Sequence, residues 1–287
     1  MRVGFLTPIL WDRYGPFWQR LVAAVGAEPV LPEPEAVLSA AETITPADGR
    51  LPWLARATLR ALADVDAVVV PRLLPSGVQG GGSAQDPWVA DLPALLERAE
   101  PGAATLIAVP AETGPEVEGA VIPVLTRLQP DAGRVRRAWA QHRSEALRPW
   151  RPAPVAPARA DGRRIALVGA PWWCVDALAR HLTAPGETLV GQHASDPAEL
   201  RAEGRRWNRV LNDVDAEVLG GVRRFARRSD VAAVRMITDD AAMADAWWSR
   251  RARGLAAERV ELTTLADAVD PEALVRLLVP GGQRPPA

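Results

Sequence analysis

The sequence predicts an α/β fold of two Rossmann-like or flavodoxin-like lobes, each with a mostly parallel sheet and helices on both faces. Short apolar runs alternate with stretches of helical apolar spacing along the chain, which is the pattern of βα units. Residues 67–70 are entirely apolar, as expected of a parallel strand buried on both faces. Four prolines within residues 148–159 disfavour helix and central strand there. We therefore predict a first lobe at residues 1–147, a connector at 148–163 and a second lobe at 164–287.

The first half begins with a strand and continues with alternating helices and strands. Residues 3–6 are a short apolar run, and Phe17, Leu21 and Val25 have the spacing of one helix face. The same reasoning predicts strands at residues 3–6, 30–31, 67–70 and 105–109, and helices at residues 17–25, 53–62, 92–99, 117–128 and 135–147.

The second half repeats this alternation. Its predicted strands are residues 164–169, 188–191, 232–237 and 260–262, and its predicted helices are residues 175–182, 197–228, 241–253 and 271–278. The stretch at 197–228 is long, and Gly220-Gly221 is its candidate break. Because connections between parallel strands are right-handed, helices are expected on both faces of each sheet.

The composition excludes several classes of function. The formal net charge is −1, so no overall field favours nucleic acid or an anionic membrane. All 34 basic residues are arginine, which excludes Schiff-base chemistry and a phosphate-binding lysine. The single cysteine, Cys174, excludes an intrachain disulfide and a cysteine-rich zinc site. Without a signal-like start or a run of about 20 apolar residues, the chain is expected to be cytoplasmic and not to enter a membrane.

Several segments resemble one known family. Residues 3–18 read VGFLTPILWDRYGPFW, residues 65–73 read VDAVVVPRL, and residues 86–93 read DPWVADLP. In these segments the chain resembles the 2-hydroxyacyl-CoA dehydratase components, including their uncharacterised, activase-associated branch. Residues 165–173 and Asp176 are similar to the start of the second lobe of that family. The resemblance implies two α/β lobes with a cleft between them.

The chain departs from the family pattern where the family carries its iron–sulfur cluster. Leu51 and Asp86 each precede a proline at positions that the resemblance assigns to cluster cysteines, and residues 238–240 replace the third. A [4Fe–4S] cluster needs about four thiolates, or three with an exogenous ligand, and this chain has one cysteine. We therefore expect no cluster and no other cofactor, and neither ketyl-radical dehydration nor electron transfer from an activase.

The candidate site is predicted from the strand ends. Ligands of parallel sheets bind beyond the carboxyl ends of the strands. The segments that follow the predicted strands are residues 7–11, 71–74, 110–112, 170–174, 192–193, 238–240 and 263–264. Arg72 directly follows a buried strand and is the first choice, because a guanidinium can bind phosphate or carboxylate through two donors. The predicted ligand-binding residues are Thr7, Trp11, Arg13, Arg72, Trp172, Trp173, Asp239 and Asp240.

Each candidate also has a purely structural explanation. Arg72 could form an ion pair between the lobes or on the surface. Asp239 and Asp240 could bind a cation or a hydroxyl, but the pattern favours a role in capping the helix that follows them.

Three further segments have alternative explanations. Residues 170–174 could form an aromatic wall beside a thiol activated by a helix N-terminus, or packed aromatic residues beside a buried, inert Cys174. Residues 80–83, GGGS, lack the lysine and spacing of a phosphate loop and favour a flexible loop or lid. Residues 201–228 contain eight arginines among acidic residues, which favours a solvated helical face over a nucleic-acid contact.

The sequence thus leads to one expected function and two alternatives. We expect a non-catalytic paralogue of the dehydratase components that binds a small anionic ligand, such as an acyl-CoA, in the interlobe cleft or acts as a partner subunit. The first alternative is an enzyme with cluster-independent chemistry at Asp239, Asp240 or Cys174. The second is an arginine-mediated nucleic-acid contact through residues 201–228. Eleven tryptophans favour buried interfaces, which is compatible with a homodimer.

Overall fold

The protein contains two four-stranded sheets in which all neighbouring strands are parallel. A computed structural model describes residues 1–45, 48–75, 81–152 and 162–280. The strands of the first lobe are β1 (Arg2–Phe5), β2 (Glu28–Val30), β3 (Ala67–Arg72) and β4 (Thr105–Pro110), in the sheet order β2-β1-β3-β4. Those of the second lobe are β5 (Arg163–Gly169), β6 (Glu187–Gly191), β7 (Ala233–Thr238) and β8 (Val260–Thr264), in the order β6-β5-β7-β8. The predicted fold class is confirmed.

Helices connect and flank these strands. In the first lobe they are α1 (Trp11–Ala24), α2 (Pro34–Ala41), α3 (Arg50–Ala61), α4 (Pro87–Ala90), α5 (Leu92–Ala99), α6 (Val117–Leu128) and α7 (Ala132–Ala146). In the second lobe they are α8 (Asp176–His181), α9 (Pro197–Trp207), α10 (Asp213–Ala226), α11 (Met243–Ala256), α12 (Leu265–Ala268) and α13 (Pro271–Leu278). Gly82–Gln85 and Gln192–Ala194 form short 3₁₀ turns. Within the described ranges, no helix combines the length and apolar character of a membrane span.

The strand order identifies where a ligand would bind in each lobe. In the first sheet β1 lies between β2 and β3, so the chain winds first to one side of β1 and then to the other. The second sheet repeats this reversal around β5. In doubly wound sheets of this order, the ligand crevice lies beyond the carboxyl ends of the strands at the point of reversal. The relevant edges are therefore those of β1 and β3, and of β5 and β7.

The two lobes share a hydrophobic core. Trp18 in the first lobe and Trp173 and Trp248 in the second are among the largest fully buried side chains, and all three belong to one contiguous apolar cluster. The lobes are therefore held together by apolar packing as well as by the connecting segment. The division into domains at 1–147, 148–163 and 164–287 stays a prediction, and residues 153–161 of the connector lie outside the described residues.

Helix α1 begins at Trp11, six residues before the predicted start at residue 17. Pro16 lies in its second turn, where it removes a single hydrogen bond and does not break the helix. Leu10 precedes the helix with left-handed backbone angles (φ 55°). The hydroxyl of Tyr14 donates to the carbonyl of Leu6 at 2.7 Å and so fixes the loop after β1 onto the helix. The short helices α2, α4 and α12 were not predicted.

The long helical stretch predicted at residues 197–228 is two helices, and the predicted break at Gly220-Gly221 is wrong. The chain leaves the helix at residues 208–212. There the carboxamide oxygen of Asn212 accepts a hydrogen bond from the backbone N–H of Asp215 at 2.9 Å, which caps α10.

Gly220 lies inside α10 because α9 crosses it at close range. A Cβ atom on Gly220 would collide with the carbonyl oxygen of Leu200, and one on Gly204 would collide with that of Ala216. The two glycines therefore allow the helices to approach each other and do not interrupt them.

Candidate functional site

The carboxyl ends of both sheets face a cleft between the lobes. Arg72 ends β3 and Pro110 ends β4, and both line the same cavity as Pro171, which follows β5. We name this cavity, with a volume of ≈ 620 Å³, the Arg72 cleft. Small-molecule sites commonly have volumes of about 300–1,000 Å³. The cleft thus has the place and the size of a ligand site.

Arg72 is the unpaired cation of this cleft. Three guanidinium groups line it. Arg13 pairs with Glu217, and Arg201 pairs with Glu112. Arg72 is exposed and has no carboxylate partner among the residues that the structure describes. The structure therefore places the first choice of the sequence analysis in the interlobe cleft with its donors available.

A buried ion pair joins the lobes beside the Arg72 cleft. Arg13 Nη2 lies 2.6 Å from Glu217 Oε1, and Arg13 Nη1 lies 2.9 Å from Glu217 Oε2. Gln192 Nε2 also donates to Glu217 Oε1, at 3.1 Å. Burial alone would raise the pKa of Glu217, but the guanidinium of Arg13 lowers it, so the carboxylate is ionised. Arg13 consequently has fewer donors left for a ligand than the sequence suggested.

A second cavity, of ≈ 740 Å³, adjoins the Arg72 cleft, with which it shares Leu10, Arg13 and Pro171. His193 follows β6, as the strand-end rule predicted, and its Nδ1 atom is buried without a hydrogen-bond partner. We name this space the His193 cavity. Its lining also includes Asp12, Cys174, Val175, Asp176 and Gln192.

Buried carboxylates surround a third, much smaller cavity between the lobes. Asp86 of the first lobe and Asp239 and Asp245 of the second line it together with Trp172 and Trp173. Its volume of ≈ 10 Å³ leaves room for about one water molecule. Trp172 and Trp173 are therefore packed at the lobe interface and are not the wall of a larger ligand site.

The carboxylates at this small cavity receive backbone hydrogen bonds. Asp239 accepts from the N–H of Arg50 in the other lobe, and Asp245 Oδ2 accepts from the N–H of Asp239 at 2.9 Å. Asp245 Oδ1 and Trp172 Nε1 are buried and have no hydrogen-bond partner within the described ranges. Burial, and then the nearby charges of Asp239 and Asp86, raise the pKa of Asp245 well above its ordinary value. Asp239 thus connects the lobes, which a helix-capping role alone would not do.

The positions that the resemblance assigns to cluster cysteines lie together in the structure. Leu51 and Asp86 line the same small cavity as Asp239. None of them carries a thiol, and the space does not admit four iron atoms, so the residues present do not fit a [4Fe–4S] cluster. Across the described ranges, no group of three or more His, Cys, Asp or Glu side chains is arranged to hold a metal ion.

The remaining predicted site residues lie apart from the two large cavities. Thr7 is buried, and its hydroxyl forms no hydrogen bond with the part of the chain that the structure describes. Trp11 packs edge-on against Phe5 and Tyr14, with ring centroids 5.6 and 5.9 Å apart. Asp240 is exposed on the surface. None of Thr7, Trp11 and Asp240 lines the Arg72 cleft or the His193 cavity.

Cys174 lies in the wall of the His193 cavity but is buried. Burial, with a contribution from the charge of Glu217, raises the pKa of its thiol, so the thiol is protonated at neutral pH. The structure therefore favours the buried, inert cysteine over the thiol activated by a helix N-terminus, because desolvation dominates at the start of the short helix α8.

Segment 81–85, which includes the end of the GGGS stretch, is a docking element between the lobes. The backbone N–H of Ser83 donates to Asp215 Oδ1 at 3.1 Å. Trp248 Nε1 donates to the same oxygen at 2.7 Å. Gly82 is left-handed (φ 75°), and a side chain there would collide with Asp215. The flexible-loop prediction is thus wrong for these residues, whereas Gly80 lies outside the described residues.

The arginine-rich helices are largely neutralised by neighbouring carboxylates. Seven of the eight arginines in residues 201–228 form ion pairs: Arg201, Arg205, Arg206, Arg223, Arg224, Arg227 and Arg228. This arrangement favours the interpretation of residues 201–228 as a solvated helical face over a nucleic-acid contact.

The strand-end rule predicts only one of the two residues that form the buried network with Arg13. Gln192 follows β6, whereas Glu217 lies within helix α10 among other acidic residues. It lies on the apolar face of α10, between the buried Val214 and Val218. A carboxylate at such a position is almost never fully buried unless it is paired, and this is the signal that identifies it.

Comparisons of the chain with protein-family models, with curated proteins and with solved structures found no match. The resemblance to the dehydratase components therefore stays a hypothesis, and the functional inference depends on the geometry of the interlobe cavities.

Proposed function

We propose that this protein binds a small anionic molecule in the Arg72 cleft, as a cluster-free and non-catalytic relative of the 2-hydroxyacyl-CoA dehydratase components. The observation that carries the proposal is the unpaired guanidinium of Arg72 at the carboxyl end of β3. A carboxylate or phosphate would supply the ionic partner that the described residues do not supply. Acyl-CoA is one candidate ligand, since it carries several phosphate groups.

Ion pairs neutralise most of the charged groups that line the cleft. Its acidic residues Glu112, Glu217 and Asp213 each pair with an arginine. Glu116 is exposed and precedes α6, whose N-terminal dipole offsets part of its negative charge. Arg72 is thus the cation of the lining that forms no ion pair with any residue that the structure describes.

The small cavity supports the proposed kinship. Three segments that are far apart in sequence, around Leu51, Asp86 and Asp239, converge on it. In a relative that carried cysteines at these positions, the thiols would converge in the same way. A non-catalytic role fits the protonated thiol of Cys174 and the backbone hydrogen bonds accepted by Asp239.

The experiment that tests the proposal compares anion binding by three variants. Isothermal titration with inorganic phosphate, butyrate, coenzyme A and butyryl-CoA would identify the preferred anion. We expect Arg72→Ala to weaken that binding by about 10- to 100-fold. This factor corresponds to the free energy of a hydrogen bond to a charged group. Arg72→Lys should weaken binding less than Arg72→Ala does, because lysine keeps the positive charge but lacks the two parallel N–H donors of a guanidinium. Glu116→Gln should strengthen binding, since it removes an opposing charge.

Arg136→Ala is the matched control, because Arg136 is exposed on α7 and lies outside the cleft. Equal affinity of the Arg72→Ala and Arg136→Ala variants for the preferred anion would contradict the proposal, as would the absence of binding by all four anions. Native mass spectrometry of freshly purified protein adds an independent measurement, in which a retained anion should be lost from Arg72→Ala.

The other sequence-based hypotheses keep their own tests. Chemistry at Asp239, Asp240 or Cys174 predicts substitutions that abolish a turnover and leave ligand affinity intact. A nucleic-acid contact through residues 201–228 predicts binding that weakens steeply with salt. A homodimer, a partner subunit and a cytoplasmic location stay predictions.

A further inference from the structure

The Arg72 cleft and the His193 cavity meet at a junction of three residues. Leu10, Arg13 and Pro171 line both spaces. Leu10 follows β1 and Pro171 follows β5, and these are the strands at which the winding of each sheet reverses. The junction therefore lies where doubly wound sheets bind their ligands. A ligand that is held at Arg72 can extend through it into the second space.

The junction presents an apolar surface to such a ligand. Leu10 and Pro171 are buried apolar side chains. Arg13 is also buried, and its guanidinium is already occupied by the two-point pair with Glu217. Leu10 has a backbone conformation that residues other than glycine rarely adopt (φ 55°), and residues of this kind cluster at functional sites. The junction thus lets an apolar chain pass and offers it no uncompensated charge.

The inner wall of the His193 cavity continues this apolar surface. Cys174 is buried there with a protonated thiol, and Val175 lies beside it. Gln192 is buried too, but its amide donates to Glu217 and its carbonyl accepts from the N–H of Gly169. A ligand body that packs against this inner wall needs to be apolar. The remaining charged side chains of the lining are exposed and form a rim toward the solvent: Asp12, Arg151, Asp176 and Arg180.

The opposite end of the space offers a single anchoring charge. Arg72 is paired with Pro110 in the register of β3 and β4 and precedes the buried Leu73 and Leu74, so apolar residues flank it. A carboxylate matches both the single charge and the two parallel N–H donors of one guanidinium. A polyphosphate carries several charges, and the described part of the lining holds no second arginine that is free of an ion pair.

We propose that the ligand of this protein is a monocarboxylate with a long apolar chain. Its carboxylate binds Arg72, and its chain runs past Leu10 and Pro171 to Val175 on the inner wall of the His193 cavity. This inference rests on the proposed function, because it takes Arg72 as the anion site, and it names the class of ligand. It favours a free carboxylic acid over acyl-CoA, whose negative charges lie on phosphate groups.

A series of straight-chain acids tests the proposal on the full chain. Butyrate, hexanoate, octanoate and decanoate would be titrated by isothermal calorimetry, with inorganic phosphate and coenzyme A for comparison. We expect one site per chain and an affinity that rises about fourfold for each methylene group that becomes buried. Arg72→Ala should weaken the binding of every acid in the series, because all of them use the same anchoring charge.

Val175→Trp tests where the chain of the ligand lies. The larger side chain fills the far end of the space, so the ratio of the affinity for decanoate to that for butyrate should fall by about tenfold. A factor of this size corresponds to about two displaced methylene groups. Val210→Trp is the matched control, because Val210 is 86% exposed and lies outside both cavities. Binding of butyrate by the Val175→Trp variant shows that the variant is folded.

The inference is overturned if Val175→Trp changes this ratio no more than Val210→Trp does, or if affinity does not increase from butyrate to decanoate. Tighter binding of phosphate or coenzyme A than of decanoate would overturn it as well. In these cases the proposed anion site still stands if Arg72→Ala weakens the preferred anion more than Arg136→Ala does. Equal affinities of Arg72→Ala and Arg136→Ala for that anion would instead contradict the proposed function itself.

Discussion

The guanidinium of Arg13 and the carboxylate of Glu217 form a two-point ion pair between the lobes, with N–O distances of 2.6 and 2.9 Å. Gln192 extends this pair, because its amide donates to Glu217 and its carbonyl accepts from the N–H of Gly169 at 3.2 Å. Gly169 ends β5, so the network ties α1 of the first lobe to the central strand of the second sheet. Arg13 lines both large cavities, and the geometry of both therefore depends on this contact.

Glu217→Ala should destabilise the protein strongly. It removes the near partner of the buried Arg13 guanidinium and leaves only the carboxylate of Glu112, at 3.7 Å, and breaking a buried ion pair typically costs about 3–5 kcal/mol. Urea unfolding would measure the loss. Glu199→Ala is the control, because Glu199 pairs with Arg224 on the surface and such pairs contribute less than about 1 kcal/mol.

The double variant Arg13→Met/Glu217→Leu tests why Glu217→Ala is destabilising. It distinguishes the loss of a charge partner from the loss of side-chain packing. Two apolar residues of similar volume remove both buried charges, so most of the stability should return. A double variant as unstable as Glu217→Ala would contradict this explanation.

Gly220→Ala should lower stability although alanine is the better helix former. The added methyl group meets the carbonyl of Leu200 on α9, and overpacking of this kind costs about 1–3 kcal/mol. Gly254→Ala is the matched control, because Gly254 lies inside α11 with open space around it. That substitution should stabilise the protein by about 0.5–1 kcal/mol. Thermal unfolding of the two variants should therefore shift in opposite directions.

The alternation of strands and helices was predictable because buried parallel strands and amphipathic helices have distinct apolar patterns. Helices α5, α6 and α13 have the predicted bounds, and β3 begins at the predicted residue. The break between α9 and α10 was not predictable from glycine content. Glycine at residue 220 serves the packing of two helices, and that contact is formed only in the tertiary structure.

The site was predictable only as far as the strand ends. The rule that ligands bind beyond parallel strands led to Arg72 and to His193, and both line large cavities. It could not distinguish a paired arginine from an unpaired one. Arg13 and Arg72 look alike in sequence, and the difference between them is Glu217, which is 204 residues away from Arg13.

Cys174 should react slowly with thiol reagents in the folded protein. Its thiol is buried and burial raises its pKa, so little thiolate is present and little of the side chain is accessible. Because it is the only cysteine, the reaction with a disulfide reagent at mildly alkaline pH reports this residue alone. The same protein in urea is the control and should react at the rate of a free thiol. Fast labelling of the folded protein would contradict the assignment and would favour the enzyme alternative.

Asp245→Asn should make the protein more stable than the parent, and this difference should increase as the pH rises. The folded state raises the pKa of Asp245 above its ordinary value of 3.8, mainly through burial, so it binds the proton more tightly than the unfolded chain does. This contribution favours folding most below the ordinary pKa, and it diminishes as the pH rises from there toward the raised pKa. Asparagine has nearly the shape of the protonated acid and does not titrate. The variant therefore does not lose this stability as the pH rises.

The difference in free energy of unfolding between Asp245→Asn and the parent protein should therefore be small near pH 4 and increase by up to about 1.4 kcal/mol per pH unit. Urea unfolding at several pH values would measure it, with Asp64→Asn, a substitution of an exposed aspartate, as the matched control. Asp245 Oδ1 has no hydrogen-bond partner, and Asp239 and Asp86 add negative charge around it, so an ionised Asp245 is unfavourable in this cavity. A difference that stays constant with pH would mean that Asp245 is ionised in the folded state, and that the small interlobe cavity holds a compensating donor or cation.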